Sequence, residues 1–142
     1  MPHLETSITI QAPVQQVWAT LLDFQQYPEW NPFIRSIKGD AVEGTYLENT
    51  LQLEGQKPQV FRPEVLRVQQ EKEFRWRGKL FVKGLFDGEH YFLLEAIDAQ
   101  STKLIHGEHF SGLLSGLIMR LIGDNTEKGF HAMNQALKER CE

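Results

Sequence analysis

The hydrophobic pattern of this chain changes its period twice. Over residues 13–22 apolar side chains recur at steps of three and four, which predicts an amphipathic helix. From residue 33 to residue 110 apolar and polar positions alternate, which is typical of strands with one buried face. After Gly112 the helical period returns, in a stripe that comprises Ile118, Ile122, Thr126, Phe130, Met133 and Leu137.

These periods predict an α+β fold. A first strand at 6–11 precedes the helix at 13–22, and Asp23 is expected to cap a short second helix that Pro28 and Pro32 limit. The alternating region predicts strands at 33–38, 46–53, 59–69, 74–80, 89–97 and 103–110, with a loop at 84–88 and a hairpin loop at 98–102. A long C-terminal helix completes the order.

An antiparallel sheet of about seven strands twists and curls. One helix laid across it contacts the rims and leaves a gap in the middle. Large aromatic side chains with a few polar groups among them are the usual lining of a small-molecule site. The predicted architecture therefore favours an internal, mostly apolar pocket between the sheet and the C-terminal helix.

Composition narrows the possible partners. The chain has 142 residues and a net charge of −4, which argues against a nucleic-acid surface. The single cysteine, Cys141, excludes an internal disulfide. The N-terminus has no basic and apolar leader pattern, and the longest apolar stretch, 113–122, is too short for stable membrane insertion. We expect a cytoplasmic monomer or homodimer.

Several runs of residues resemble a known family. They are 27–34 (YPEWNPFI), 61–65 (FRPEV), 76–78 (WRG), 84–92 (GLFDGEHYF), 106–114 (HGEHFSGLL) and 129–138 (GFHAMNQALK). Together they resemble the START/SRPBCC superfamily, and within it the small bacterial proteins described as polyketide cyclase/dehydrase-like. The resemblance implies a single helix-grip domain over 1–142, with a curved seven-stranded sheet wrapped around the C-terminal helix.

Three polar residues are the candidates for chemistry. On the last strand His106 and Glu108 share a face, and a hairpin centred on 99–101 makes His90 a diagonal neighbour of Glu108. Three interpretations stay open. The residues form a buried cluster whose polar groups only hydrogen-bond one another, or a group that orients a ligand, or an acid–base pair or a metal site. The usual zinc motifs are absent, and we assign no metal and no cofactor.

The leading functional hypothesis is binding of a small hydrophobic molecule, such as a lipid, an isoprenoid or an aromatic polyketide-like compound. The alternatives are a cyclase- or dehydratase-type enzyme that uses His90, His106 and Glu108, and an interaction protein similar to the chaperone activators of the superfamily. Trp30 is expected either to cover the pocket mouth or to anchor its segment. The predicted ligand contacts are Trp30, Phe33, Leu51, Trp76, His90, Phe92, His106, Glu108, Phe110, Met119, Phe130 and Met133.

Overall fold

A computed structural model describes residues 2–80 and 84–142 of the chain. In chain order the elements are β1 (His3–Ile10), α1 (Val14–Leu22), a 3₁₀ turn (Phe24–Gln26), α2 (Tyr27–Trp30), β2 (Ile34–Lys38), β3 (Glu48–Leu51), β4 (Gln59–Phe61), β5 (Glu64–Gln69), β6 (Glu73–Leu80), β7 (Phe86–Asp98), β8 (Ser101–Ser111) and α3 (Ser115–Cys141). The predicted α+β order and the long C-terminal helix are confirmed.

The strands form two antiparallel sheets that adjoin. One has five strands in the order β1-β8-β7-β6-β5, and the other has three in the order β2-β3-β4. Backbone hydrogen bonds connect them, from Leu47 N to the carbonyl of Pro63 at 2.9 Å and from Val65 N to the carbonyl of Thr45 at 2.8 Å. The two sheets therefore continue into each other as one curved wall, which is the helix-grip arrangement with α3 held against it.

The described residues hold eight strands, one more than expected, because the strand predicted at 59–69 is two strands. Proline has no N–H to donate to a ladder, and β4 ends before Pro63 while β5 begins after it. The loop predicted at 84–88 is also shorter, since β7 already begins at Phe86. Asp23 precedes the 3₁₀ turn, but its side chain makes no capping hydrogen bond.

The hairpin between β7 and β8 differs from the expectation in its register. Its turn consists of Ala99 and Gln100, not of five residues, and the pairing shifts by one residue between Ala96 and Asp98. This bulge sets the register of the whole ladder. It places His90 directly opposite Glu108. The sequence-based register, in which the two were diagonal, was wrong.

The two halves of α3 have different surroundings. In the second half, Phe130, Met133 and Leu137 are fully buried and pack into the main core. In the first half, Ile118 and Ile122 are only half-buried. The helix therefore closes against the sheets along its C-terminal turns and leaves space along its N-terminal turns.

On the outer face of the five-stranded sheet, acidic side chains neutralise Arg75. Arg75 lies between the carboxylates of Glu73 and Glu89, at 2.8 and 2.9 Å, and its guanidinium carbon is 4.8 Å from the centre of the Tyr91 ring. These carboxylates leave Arg75 little capacity to bind an anionic partner. Among the described residues, no helix is long and apolar enough to cross a membrane.

Gly129 allows α3 to approach Phe33 closely. A Cβ atom at this position would lie 2.4 Å from Cδ1 of Phe33, far inside van der Waals contact. The ring of Phe33 also packs edge-on against Phe130, with ring centres 5.6 Å apart. A glycine destabilises a helix by up to about 1 kcal/mol relative to alanine. The close packing of Phe33 against Gly129 offsets that cost.

We therefore expect Gly129→Ala to destabilise the protein by about 1–3 kcal/mol, through overpacking, despite the better helix propensity of alanine. Gly116→Ala is the control, because nothing lies within 4 Å of its added Cβ. It is expected to raise stability by up to about 1 kcal/mol. Urea unfolding of both variants measures the difference, and a stabilised Gly129→Ala variant would contradict the packing argument.

Candidate functional site

A cavity of about 400 Å³ lies between the two sheets and the first half of α3. Its apolar wall comprises Phe33, Leu51, Leu53, Phe61, Pro63, Trp76, Phe86, Phe110, Ile118 and Ile122. Its other lining residues are Asn49, Gln56, Gln59, Gly78, Lys79, Gly88, His90, Glu108 and Thr126. Gln56 and Gln59 are exposed, so the cavity reaches the surface beside the loop that joins β3 to β4.

Half of the predicted ligand contacts line this cavity. They are Phe33, Leu51, Trp76, His90, Glu108 and Phe110. The others do not, and four of these are core residues, namely Phe92, His106, Phe130 and Met133. The cavity lies along the first half of α3, whereas the sequence suggested that it extends along the second half. The reason is that the C-terminal half of this helix packs directly on the sheet.

Two further predicted contacts lie elsewhere. Trp30 packs its ring against Tyr27, with centres 5.0 Å apart, and its side chain lines a shallow surface pocket beside Arg140. It anchors α2 and does not cover the mouth of the cavity. Met119 is half-buried on α3 but is not part of the lining.

Asn49 is a buried polar lining residue that sequence reasoning missed. It is 2 % exposed, and its Oδ1 has no hydrogen-bond partner among the described residues. A signal was present, because strand alternation places Asn49 on the same face as Leu47 and Leu51. Ile118, Ile122 and Thr126 also belong to the predicted helix stripe, one to three turns before the predicted contact Phe130.

A chain of hydrogen bonds runs behind the cavity wall through four elements. Glu108 Oε1 lies 3.2 Å from His90 Nδ1, and His90 Nε2 lies 2.7 Å from His106 Nε2. His106 Nδ1 lies 2.8 Å from Asn134 Oδ1. Asn134 Nδ2 donates to Thr6 Oγ1 at 2.8 Å, and that hydroxyl donates to the carbonyl of His106 at 2.9 Å.

Thr6, at one end of this series of hydrogen bonds, fixes the direction of the bonds next to it. The Thr6 hydroxyl has a single proton, which it donates to the His106 carbonyl, so it accepts from the amide of Asn134. The amide oxygen of Asn134 then faces His106 and accepts from its Nδ1–H. Thr6 and Asn134 are both buried, and together they select the tautomer of His106.

Burial keeps His106 neutral. It holds the pKa of His106 well below its ordinary value of 6.5, and the neighbouring His90 lowers that pKa further. The contact of His106 with His90 at 2.7 Å and the contact of His90 with Glu108 at 3.2 Å thus connect a neutral, buried imidazole to a carboxyl group on the cavity wall.

The two imidazoles are a hydrogen-bonded pair and not a pair of ligands to one metal ion. Two nitrogens on a tetrahedral zinc ion lie roughly 3.3 Å apart, since each bond is about 2.0–2.1 Å. Here the two Nε2 atoms lie 2.7 Å apart and face each other. Among residues 2–80 and 84–142, no group of His, Cys, Asp and Glu side chains has the arrangement of a metal site.

Only one end of the cluster opens to the cavity. Trp76 stacks on His90 with ring centres 4.8 Å apart, and Phe130 stacks on His106 at 4.2 Å. Glu108 lines the cavity, and its Oε2 occupies the space over Gly88, where an added Cβ would lie 2.1 Å from it. Glu108 and His90 are thus the members of the cluster that line the cavity.

Comparison with known proteins gives the family. The sequence matches the family of polyketide cyclases, dehydrases and lipid transport proteins over residues 1–142. The chain belongs to this family. A search of the curated proteins finds no match.

Solved structures share the fold at low sequence identity. The ZhuI aromatase/cyclase from Streptomyces sp. R1128 has a TM-score of 0.79 at 15 % identity, over 99 % of this chain and 93 % of that one. A START superfamily protein from Mycobacterium smegmatis has a TM-score of 0.73 at 18 % identity, over 98 % and 96 %. Norcoclaurine synthase from Thalictrum flavum, solved with dopamine and hydroxybenzaldehyde, has a TM-score of 0.73 at 13 % identity, over 98 % and 85 %.

The lowered pKa of His106 predicts an acid-sensitive fold. Below pH 6.5 the unfolded chain protonates this residue and the folded chain does not, so stability is lost as the pH falls from 6.5 toward the lower folded value. The loss from this residue is at most about 1.4 kcal/mol per pH unit. We expect His106→Gln to be less stable than the wild type at pH 7 but to lose less stability between pH 6.5 and 4.5.

Urea unfolding across this pH range measures the effect. His109→Gln is the control, since His109 is exposed on the same strand as His106, and this variant is expected to keep the wild-type pH dependence. Equal pH dependence in the wild type and in His106→Gln would show that His106 is not held neutral in the folded state.

Proposed function

We propose that this chain binds a small, mainly apolar molecule in the cavity between its sheets and the first half of α3. The cavity carries the proposal, because its volume of about 400 Å³ lies within the range of small-molecule sites, roughly 300–1,000 Å³. Aromatic and aliphatic side chains provide most of its lining, and a few polar groups interrupt them at defined positions. This combination binds an apolar frame and orients it.

The family and its solved relatives support an aromatic or lipid-like ligand. The family description names polyketide cyclases, dehydrases and lipid transport. Among the relatives, one is an aromatase/cyclase and another was solved with dopamine and hydroxybenzaldehyde. In this chain, Trp76, Phe86 and Phe110 give the cavity aromatic walls suited to such compounds.

Filling the cavity is expected to abolish binding. Gly78 lines the cavity, and an added Cβ there is 3.8 Å from its nearest neighbour, Pro63, so that Gly78→Leu extends a side chain into open space. We expect this variant to bind 2-naphthol at least about tenfold more weakly than the wild type, because the leucine clashes with the ligand. Isothermal titration calorimetry measures the change.

Arg77→Leu is the matched control, since it places the same side chain on the exposed outer face of the same strand. It is expected to bind 2-naphthol as the wild type does. The proposal fails if the wild type binds no such apolar probe, or if Gly78→Leu binds it with undiminished affinity.

The pairing of Glu108 with His90 favours a second candidate function, acid–base catalysis on the bound molecule. Glu108 Oε1 lies 3.2 Å from His90 Nδ1, and the other oxygen of Glu108 lies over Gly88 on the cavity wall. That oxygen is placed to accept a proton from a ligand, and the pair is placed to return one. This exchange is what a cyclase or a dehydratase requires of a general acid–base group.

Glu108→Gln separates catalysis from binding. The amide of glutamine still donates to His90 Nδ1 and keeps an oxygen toward the cavity, but it cannot take up a proton. We expect the wild type to accelerate hydrogen–deuterium exchange of the α-protons of 2-acetylnaphthalene, measured by proton NMR in D₂O. Glu108→Gln is expected to lose about 10²-fold or more of that acceleration while its affinity for the ketone stays within about threefold of the wild type.

Exchange at the buffer rate in the wild type, or unchanged exchange in Glu108→Gln, would eliminate this second function. Neither result affects the binding proposal, which depends on affinity alone.

A further inference from the structure

The first half of α3 has more apolar surface than the fold covers. Ile118 and Ile122 line the cavity from one face of these turns. On another face, Leu117 and Leu121 are 57 % and 75 % exposed, and Leu113, in the turn before the helix, is 89 % exposed. A helix that is apolar on all sides is ordinarily buried, either in a protein core or in lipid. The exposed face is therefore expected to have an occupant.

The exposed leucines form one patch. Leu113, Leu117 and Leu121 follow one another at steps of four residues, which places them on one side of successive turns. Leu114 is exposed beside the first of them. The N–H groups of Leu113 and Leu114 donate to backbone carbonyls just before β7, at 3.0 and 2.9 Å, and this fixes the turn that carries them. We call these four side chains the leucine patch.

The charge of this part of the chain fits a lipid surface. From Gly112 to Gly123 the only charged side chain is that of Arg120, which is exposed. The chain as a whole has a net charge of −4, so this stretch differs in sign from the rest. Helices that lie in a membrane interface combine an apolar face with Arg or Lys side chains, which bind the phosphates of the headgroups.

The size and shape of the leucine patch favour lipid over a protein partner. A stable protein interface takes roughly 20–30 residues from each side, whereas the patch consists of four leucines. Leu113 projects almost completely from the surface. A bilayer needs no matching groove for such a projection, because its acyl region accepts an apolar side chain of any shape.

We infer that the leucine patch docks the protein on the surface of a lipid bilayer, with the leucines at the boundary of the acyl chains and Arg120 among the headgroups. The helix does not cross the bilayer, since crossing requires roughly 20 apolar residues. The inference goes beyond the proposed binding function. It brings the bilayer next to the cavity, because the turns that carry Leu117 and Leu121 also carry two of its lining residues, Ile118 and Ile122.

Sedimentation with sucrose-loaded vesicles tests the docking. We expect the wild type to sediment with vesicles made of phosphatidylcholine and phosphatidylglycerol in equal parts. The combined variant Leu113→Gln, Leu117→Gln and Leu121→Gln is expected to bind them at least about tenfold more weakly, because a glutamine side chain does not enter the acyl region. Its thermal midpoint is expected to stay near that of the wild type, since all three positions are exposed.

The combined variant Val42→Gln, Val60→Gln and Ile97→Gln is the matched control. These three side chains are about half-exposed and lie outside the leucine patch, so this variant is expected to bind the vesicles as the wild type does. Arg120→Gln is expected to weaken binding to the mixed vesicles about fivefold and to leave binding to vesicles of phosphatidylcholine alone unchanged.

Three results would overturn the inference. The first is a wild type that stays in the supernatant, and the second is a leucine variant that binds as the wild type does. The third is an equal loss of binding in the matched control, because any exposed apolar side chain would then suffice.

A second copy of the chain is the alternative occupant of the leucine patch. Sedimentation velocity without lipid detects it as a dimer that the leucine variant converts to a monomer. If the wild type is such a dimer and binds no vesicles, the patch is a protein interface and the inference fails. None of these results bears on the cavity, whose affinity for 2-naphthol is measured separately.

Discussion

The hydrogen bond between Thr6 and the carbonyl of His106 is the constraint on which the polar site depends. It uses the only proton of the threonine hydroxyl, and that alone orients the amide of Asn134. The amide in turn selects the tautomer of His106, which fixes what His90 can donate. A hydroxyl group on the edge strand β1 is thus connected through four successive contacts to a carboxyl group on the cavity wall.

The same cluster marks the boundary between core and cavity. His106 lies within the layer where α3 packs directly on the sheet, beside Phe92 and Phe130. His90 and Glu108 lie in the next layer, where the helix no longer fills the space. Apolar packing alone does not fix where the core ends and the cavity begins, because many aromatic side chains could be buried at that point. A fully bonded polar chain is specific, because each member requires a partner of the right kind at the right distance.

Much of this arrangement follows from the sequence. The order of elements, the strand faces and the helix stripe all come from hydrophobic period, and so does the meeting of His90, His106 and Glu108 on one face. Their exact pairing did not follow, because it depends on a bulge near Ile97. The two-residue turn and the bulge together move the pairing by two residues from the expected register, which keeps every side chain on its face but changes which residues lie opposite each other.

The position of the cavity was harder to predict than its existence. Phe130 and Ile122 lie on the same stripe of α3 and are equivalent in any periodic analysis, yet one is core and the other lines the cavity. What separates them is where the helix packs directly on the sheets, and the close contact of Phe33 with Gly129 lies at that point. Asn49, by contrast, was recognisable as a polar residue on an apolar strand face. Sequence alone could not show that its oxygen remains unpaired, since that depends on which side chains of neighbouring strands reach it.

The residues of the polar cluster differ in their access to the cavity. His106, Asn134 and Thr6 are enclosed, and burial keeps His106 neutral. Glu108 and His90 line the cavity, so in the proposed function they are the members of the cluster that act on a bound molecule. The enclosed residues hold the geometry of the cluster. The residues that fix its orientation are therefore not the residues that the proposal assigns to proton exchange.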